Sequence, residues 1–202
     1  MNITEKITTK QSGLCGVLTP AVAFFFISVS ILLHPWFQWA DNALSDLGAL
    51  GTSYNLLYNV GMVTTGILGL LFTVNLPQLM NGKIGNTGVL IFTLGLVSLI
   101  LVGIFPSGTA PHVTVSLTFF ALCAVGLTII GIDQLKPPQW VWGAFVLSLV
   151  ITGLLAVCLV NAIPYDLGAA IPEAIGALTF SEFSMTFGIR LFQYKTHRSK
   201  RH

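Results

Sequence analysis

The stretch "NTGVLIFTLGLVSLILVGIFP", residues 86–106, decides the fold class of this chain, because it holds no charged side chain over 21 residues. A helix of that length spans about 30 Å, which is the thickness of the hydrocarbon core of a bilayer. A helix is favoured over a strand because every backbone polar group must be paired inside the bilayer. The run also lacks the alternating pattern of a barrel strand. It therefore predicts a transmembrane helix.

Five further apolar runs of similar length extend this prediction to six transmembrane helices. We place the six helices at about residues 13–34, 55–77, 86–106, 112–134, 140–162 and 168–190. Hydrophobic residues make up 54% of the 202 residues and charged residues only 8%, which excludes a soluble globular domain. The connections are short and carry Pro and Gly, so we expect residues 1–202 to form a single all-α, six-helix transmembrane bundle.

The distribution of basic residues predicts the topology. All nine fall on one side of the predicted bundle: Lys6, Lys10, Lys83, Lys136, Arg190, Lys195, Arg198, Lys200 and Arg201. By the positive-inside rule that side is the cytoplasm, so both termini are expected there, in a multi-pass protein of the cell membrane. The formal net charge of +2 is too small to indicate nucleic acid as a partner.

Three polar side chains on the predicted outer face form a candidate catalytic cluster of acid and base groups: Asp46, His112 and Glu173. Asp46 lies in "NALSDLGALG", where it can also cap exposed N–H groups. His112 opens helix 4 and is either a proton carrier or a residue hydrogen-bonded to a loop carbonyl. Glu173 is expected about one and a half turns into helix 6, where an unpaired carboxylate is costly. Mutual pairing offsets that cost, so we expect the three to meet in one pocket.

Four more residues of the same face are candidate substrate-binding groups: Asn42, Ser45, Asn59 and Tyr165. A His with two acids is a workable but incomplete ligand set for a divalent metal, and no HxxxH or HExxH motif accompanies it, so we name no metal ligands and metal dependence stays open. The three cysteines are far apart in apolar runs and indicate neither a disulfide framework nor a CxxC site. No motif in the chain indicates a cofactor.

Glu182 is a second acid of helix 6, expected near the middle of the membrane. Nine residues separate it from Glu173, so the two side chains point half a turn apart on a regular helix. It is either a protonated acid with one hydrogen-bonded partner or a member of a proton relay.

The motifs "NALSDLGA", "YNVGMVTTGIL", "GIFPSGTAPH" and "IPEAIGAL" resemble the DUF998 family of membrane proteins, over most of the chain. Asp46, His112 and Glu173 occupy motif positions in this resemblance, which implies an architecture but no reaction. The segments "SDLG" and "HVTVSLTFFAL" are similar to the Frag1/DRAM/Sfk1 group, which implies a six-helix protein linked to membrane lipids.

Three functions follow as hypotheses. The first is a protein whose outer pocket binds or chemically processes a lipid or other amphiphile, with membrane lipids as its partners. The second is a proton-coupled transporter or channel that uses Glu173 and Glu182. The third is a structural or partner-binding membrane protein in which these residues only fasten helix ends. Whether the protein is an enzyme, and its oligomeric state, stay open at this point.

Overall fold

The structure, a computed structural model, describes residues 7–162 and 168–194. All regular secondary structure in these two ranges is helical. The six α-helices are α1 (Thr9–Leu33), α2 (Asn55–Thr73), α3 (Lys83–Ile104), α4 (His112–Gln134), α5 (Trp140–Asn161) and α6 (Ala170–Gln193). Two 3-10 segments, Leu44–Gly48 and Leu76–Leu79, lie in the connections after α1 and α2. The prediction of six helices is confirmed.

Five of these helices, α1 to α5, are long and apolar enough to cross a membrane. The sixth, α6, is of similar length with 24 residues, but its sequence carries Glu173, Glu182 and Arg190. These charged groups make α6 the most polar of the six helices, and two of the three acids singled out in the sequence, Glu173 and Glu182, lie on it.

The helix ends differ from the predicted ones by up to four residues, for local reasons. Helix α1 begins earlier because Thr8 and Gln11 cap each other: the Gln11 N–H donates to Thr8 Oγ1 at 3.2 Å, and the Thr8 N–H donates to Gln11 Oε1 at 2.9 Å. Helix α2 ends at Thr73, before a 3-10 segment that contains Pro77. Proline lacks the N–H that a continuing helix needs.

Each helix packs against the next in the chain, and α6 packs against α1, so the bundle is closed. The α1–α6 contact is close because it uses glycine: a Cβ on Gly13 would lie 2.5 Å from the Phe192 N atom. Small residues allow such backbone approach between membrane helices. Aromatic rings meet within the core of the bundle, where the ring of Phe183 lies 6.1 Å from that of Phe72 and 5.3 Å from that of Phe92.

The basic residues of the described part all lie at one end of the bundle. The starts of α1 and α3, the end of α4 and the end of α6 meet there. The Asn81 N–H donates to Asp133 Oδ2 at 2.7 Å, and Arg190 Nη1 donates to Gln134 Oε1 at 3.4 Å. Lys10, Lys83, Lys136 and Arg190 belong to this end. The other five basic residues, Lys6, Lys195, Arg198, Lys200 and Arg201, lie outside the described residues.

Candidate functional site

The connection between α1 and α2, residues 34–54 and here called loop 1, covers the other end of the bundle. It is hydrogen-bonded to two distant segments. The Leu50 N–H donates to Ser107 O at 3.0 Å, which joins it to the α3–α4 connection. The Ala170 N–H donates to Asn42 O at 2.8 Å, which joins it to the start of α6. Loop 1 is therefore an integral part of this end of the bundle.

Glu173 lies where loop 1 meets α6. Its Oε2 atom accepts the Leu44 N–H at 2.7 Å, and the Ser45 N–H is a second backbone donor to the carboxylate. Because α6 begins at Ala170, Glu173 lies in the first turn and not one and a half turns into the helix. No Lys, Arg or His side chain among the described residues lies within ion-pair distance of it. Backbone N–H groups of the 3-10 segment thus hold this carboxylate without a countercharge.

Asp46 lies in the same 3-10 segment but bonds to different groups. Its Oδ2 atom accepts the Ala43 N–H at 2.9 Å, and its Oδ1 atom accepts the Ser107 hydroxyl at 3.4 Å. The first bond closes the turn that presents Leu44 and Ser45 to Glu173. The carboxylate of Asp46 therefore caps its own segment and not the start of α2.

His112 is buried, and its ring is bonded to the chain just before α4. Its Nδ1 atom lies 2.8 Å from Phe105 O, which is the loop-carbonyl arrangement considered for this residue. Its Nε2 atom lies 3.4 Å from Ser116 Oγ. No carboxylate of the described residues pairs with the ring. A single pocket shared by Asp46, His112 and Glu173 therefore stays a prediction.

The remaining predicted residues fasten loop 1 or border the interior. The Asn59 side chain donates to Gly48 O at 2.9 Å, and the Asn42 side chain accepts the Gln38 N–H at 2.8 Å. Ser45 is buried and borders the internal cavity described next. Tyr165 lies outside the described residues.

An internal cavity of about 90 Å³ lies below loop 1, between the helices. Its walls are mostly apolar, and its polar members include Ser45, Tyr58, Ser116 and Glu173. A space of this size is large enough to hold water molecules. It is a mostly apolar space beneath loop 1, with a few polar groups in its wall.

A larger groove of about 490 Å³ runs between α4, α5 and α6 and is called here the lateral groove. It shares four wall residues with the internal cavity: Ser116, Phe120, Glu173 and Phe180. The rings of Phe120 and Phe180 lie 6.1 Å apart, so they stand between the two spaces. Its volume falls within the usual range for small-molecule sites.

Several residues in the walls of the lateral groove are small. Ala121 and Ala124 of α4, Gly153 of α5 and Gly176 of α6 all line it. No motif or hydrophobic pattern in the sequence predicted this groove. The sequence indicates the groove only through these small residues on three helices. That they face the same space becomes visible only once the helices are packed. Leu154, also in the wall, is 54% exposed, so the groove reaches the surface of the bundle.

His34 is a further polar group whose role the sequence analysis did not assign. It is 2% exposed, and its ring joins the two ends of loop 1. Its Nδ1 atom lies 2.6 Å from Ser30 O, and its Nε2 atom lies 2.5 Å from Ser53 O. Because Ser30 belongs to α1 and Ser53 precedes α2, this one ring fixes both ends of the loop that holds Glu173.

These features define the chain as a polytopic α-helical membrane protein, with a covered polar end and a groove between three helices. The chain belongs to the DUF998 family, described as "protein of unknown function", whose model matches residues 17–190. That range includes Asp46, His112 and Glu173. No curated protein and no solved structure matches the chain. The similarity to the Frag1/DRAM/Sfk1 group stays a prediction.

Proposed function

We propose that this protein binds an amphiphile from the membrane, with its polar end at Glu173 and its hydrocarbon chain in the lateral groove. The observation that carries the proposal is the position of Glu173, which borders the groove and the internal cavity and is bonded to loop 1. Ligand sites are typically apolar clefts with a few placed polar groups. The groove has this composition, with its acid at one end.

The length of the groove supports a chain from one leaflet. Its wall along α6 runs from Ala169, the residue before the helix, to Phe180, eleven residues further on, which is about 16 Å of helix. Half of a hydrocarbon core of about 30 Å is about 15 Å, so the groove is as deep as one leaflet. From the expected topology we propose that this is the outer leaflet of the cell membrane.

The surroundings of the groove favour an occupant from the bilayer. Helix α5, which forms one wall, is the least buried of the five apolar helices, with 17% of its most apolar window buried in the bundle. In a membrane the exposed side of α5 contacts lipid chains, and an opening beside it is reached from the lipid and not from water. A hydrocarbon chain enters such an opening without leaving an apolar environment.

The chemistry of Glu173 favours a polar end that donates hydrogen bonds. Two backbone N–H groups already bond to the carboxylate, and no basic side chain of the described part pairs with it. A carboxylate accepts up to about four hydrogen bonds, so acceptor capacity remains. A hydroxyl or ammonium group would use that capacity, whereas an anionic head group would be repelled. We therefore propose a neutral or cationic head group.

The structure lends less support to the other two hypotheses. A relay from Glu173 to Glu182 needs a path between them, yet Glu182 lies on the exposed side of α6. A purely structural role accounts for Asp46 and Asn59, but it leaves the lateral groove without a purpose. The backbone bonds of Asp46 and His112 favour binding over acid and base chemistry.

The test is photo-crosslinking of the purified protein in lipid nanodiscs with a monoacylglycerol that carries a diazirine in its chain. The substitution Ala121→Trp fills the groove from its α4 wall. The control Leu94→Trp places the same side chain at a similar depth on α3, away from the groove. We expect the native protein to be labelled within α4 and α6. A121W should reduce this labelling at least about tenfold, which corresponds to a loss of about 1.4 kcal/mol of binding free energy, and L94W should leave it unchanged.

Two further measurements separate the parts of the proposal. Glu173→Gln should weaken labelling by a long-chain amine more than labelling by the monoacylglycerol, because only the amine loses a charge partner. Equal labelling of the native protein and A121W would show that the lateral groove is not the site.

A further inference from the structure

Glu182 lies at the centre of α6, on its outward side. It follows the start of the helix by twelve residues and precedes its end by eleven, about 18 Å and 16 Å along the axis. The side chain is exposed, and among the described residues it has no hydrogen-bond or ion-pair partner. An acid at this depth normally faces the interior of a bundle or a water-filled cavity. In a single copy of the chain, Glu182 faces neither the interior of the bundle nor such a cavity.

The other exposed residues of α6 form a single stripe with Glu182. Leu178 is 49% exposed, Met185 and Ile189 are each 43% exposed, and Phe192 is 48% exposed. Together with Glu182, these residues follow one another along α6 at intervals of four, three, four and three positions. Apart from the last residue of the helix, every other position of α6 is buried or half-buried. This spacing is the 3.5-residue repeat of a seam between two packed helices.

We propose that this stripe of α6, Leu178 to Phe192 with Glu182 at its centre, is the contact between two copies of the chain. Two copies in one membrane share the same topology, so their α6 helices pack side by side in the same direction. A two-fold axis along the membrane normal then brings Glu182 of one copy opposite Glu182 of the other, at the same depth. The contact is self-complementary.

The pairing of identical acids explains why an acid is tolerated at this position. With one carboxyl protonated, its O–H donates to a carboxyl oxygen of the other copy, and both groups leave the lipid. Lipid chains offer no such partner. A different protein would need its own polar group at this depth, whereas a second copy always brings one. Polar residues stabilise contacts between membrane helices in this way.

The basic group on α6 itself does not compete for Glu182. Arg190, the one basic residue of α6 within the described part, lies two turns further along. Its guanidinium is stacked on aromatic rings, 4.2 Å from the centroid of Trp142 and 4.6 Å from that of Phe187. It therefore contacts the interior side of α6, away from the stripe.

The experiment is disulfide cross-linking in native membranes, with Cys15, Cys123 and Cys158 first replaced by serine. Met185→Cys places a thiol in the stripe. The control Leu90→Cys lies at a similar depth from the same end of the bundle, on the exposed side of α3. We expect mild oxidation to convert most of M185C to a dimer and to leave L90C a monomer, because only seam positions bring Cα atoms within disulfide range.

A second pair of substitutions tests the acid itself. Glu182→Gln should retain dimer formation, since two amides also pair. Glu182→Leu should lower the association constant about three- to tenfold, as measured by energy transfer between labelled copies in detergent. Dimer yields of M185C no higher than those of L90C would overturn the proposal. So would cross-linking of M185C to a different protein with the purified chain monomeric, since the stripe would then serve a partner of another kind.

Discussion

Replacing Gly13 by alanine should loosen the contact between α1 and α6 that closes the bundle. The added Cβ would lie 2.5 Å from Phe192 N, 2.6 Å from Gly188 O and 2.9 Å from Phe192 Cα. All three are backbone atoms, so no side chain can rotate away. Ordinary contact begins near 3.5 Å, and the two helices must therefore separate locally by about 1 Å.

Overpacking of this kind costs about 1 to 3 kcal/mol of unfolding free energy. For a chain of this size, 1 kcal/mol corresponds to about 2 to 4 °C in Tm, so we expect a decrease of about 2 to 12 °C. The assay is thermal unfolding in detergent, followed by tryptophan fluorescence. The separation should also lengthen the nearby bond from the Ser184 hydroxyl to Gly16 O, which is 2.8 Å in the native protein.

Gly82→Ala is the matched control for this prediction. A Cβ at Gly82 would meet nothing within 4 Å, and the residue has an extended φ of 164° that other residues adopt. Its Tm should stay within about 2 °C of the native value, because only cap and chain-entropy effects of a few tenths of a kcal/mol act there. A Tm for G13A equal to that of G82A would refute the close α1–α6 contact.

Three more outcomes are expected. With the native cysteines replaced, Ala110→Cys should react with an impermeant thiol reagent added outside the cell, and Lys83→Cys should not. This follows from the positive-inside rule, and the reverse labelling pattern would contradict the predicted topology. His34→Leu should lower the unfolding free energy by about 2 to 5 kcal/mol in chemical denaturation, since the buried Ser30 carbonyl and the part-buried Ser53 carbonyl lose their ring partner; a change below 1 kcal/mol would exclude the bonds described. His112→Asn should retain stability and amphiphile labelling, because the Asn amide can still donate a hydrogen bond to Phe105 O. A folded H112N protein that is no longer labelled by the amphiphile would favour the proton-carrier hypothesis.

Glu173 was a functional candidate because of its depth in an apolar helix. The sequence did not reveal the hydrogen-bond donor to its carboxylate in the same way. The carboxylate bonds to the Leu44 N–H, 129 residues away in sequence. A backbone donor carries no sequence signal, because every residue except proline has one. The prediction that a histidine pairs with this acid used side-chain chemistry alone, and backbone groups of loop 1 hold the acid in the structure.

The sequence by itself determined the number of helices, their approximate limits and the polar character of α6. It could do so because a transmembrane helix satisfies its own backbone hydrogen bonds, so each apolar run specifies its helix without reference to the others. The half-turn between Glu173 and Glu182 also follows from helix geometry alone. Which of the two acids faces the bundle depends on the neighbours of α6. The contacts of α6 with α1 and with loop 1 turn Glu173 inward and leave Glu182 outside, and the lateral groove becomes visible only once α4, α5 and α6 are packed.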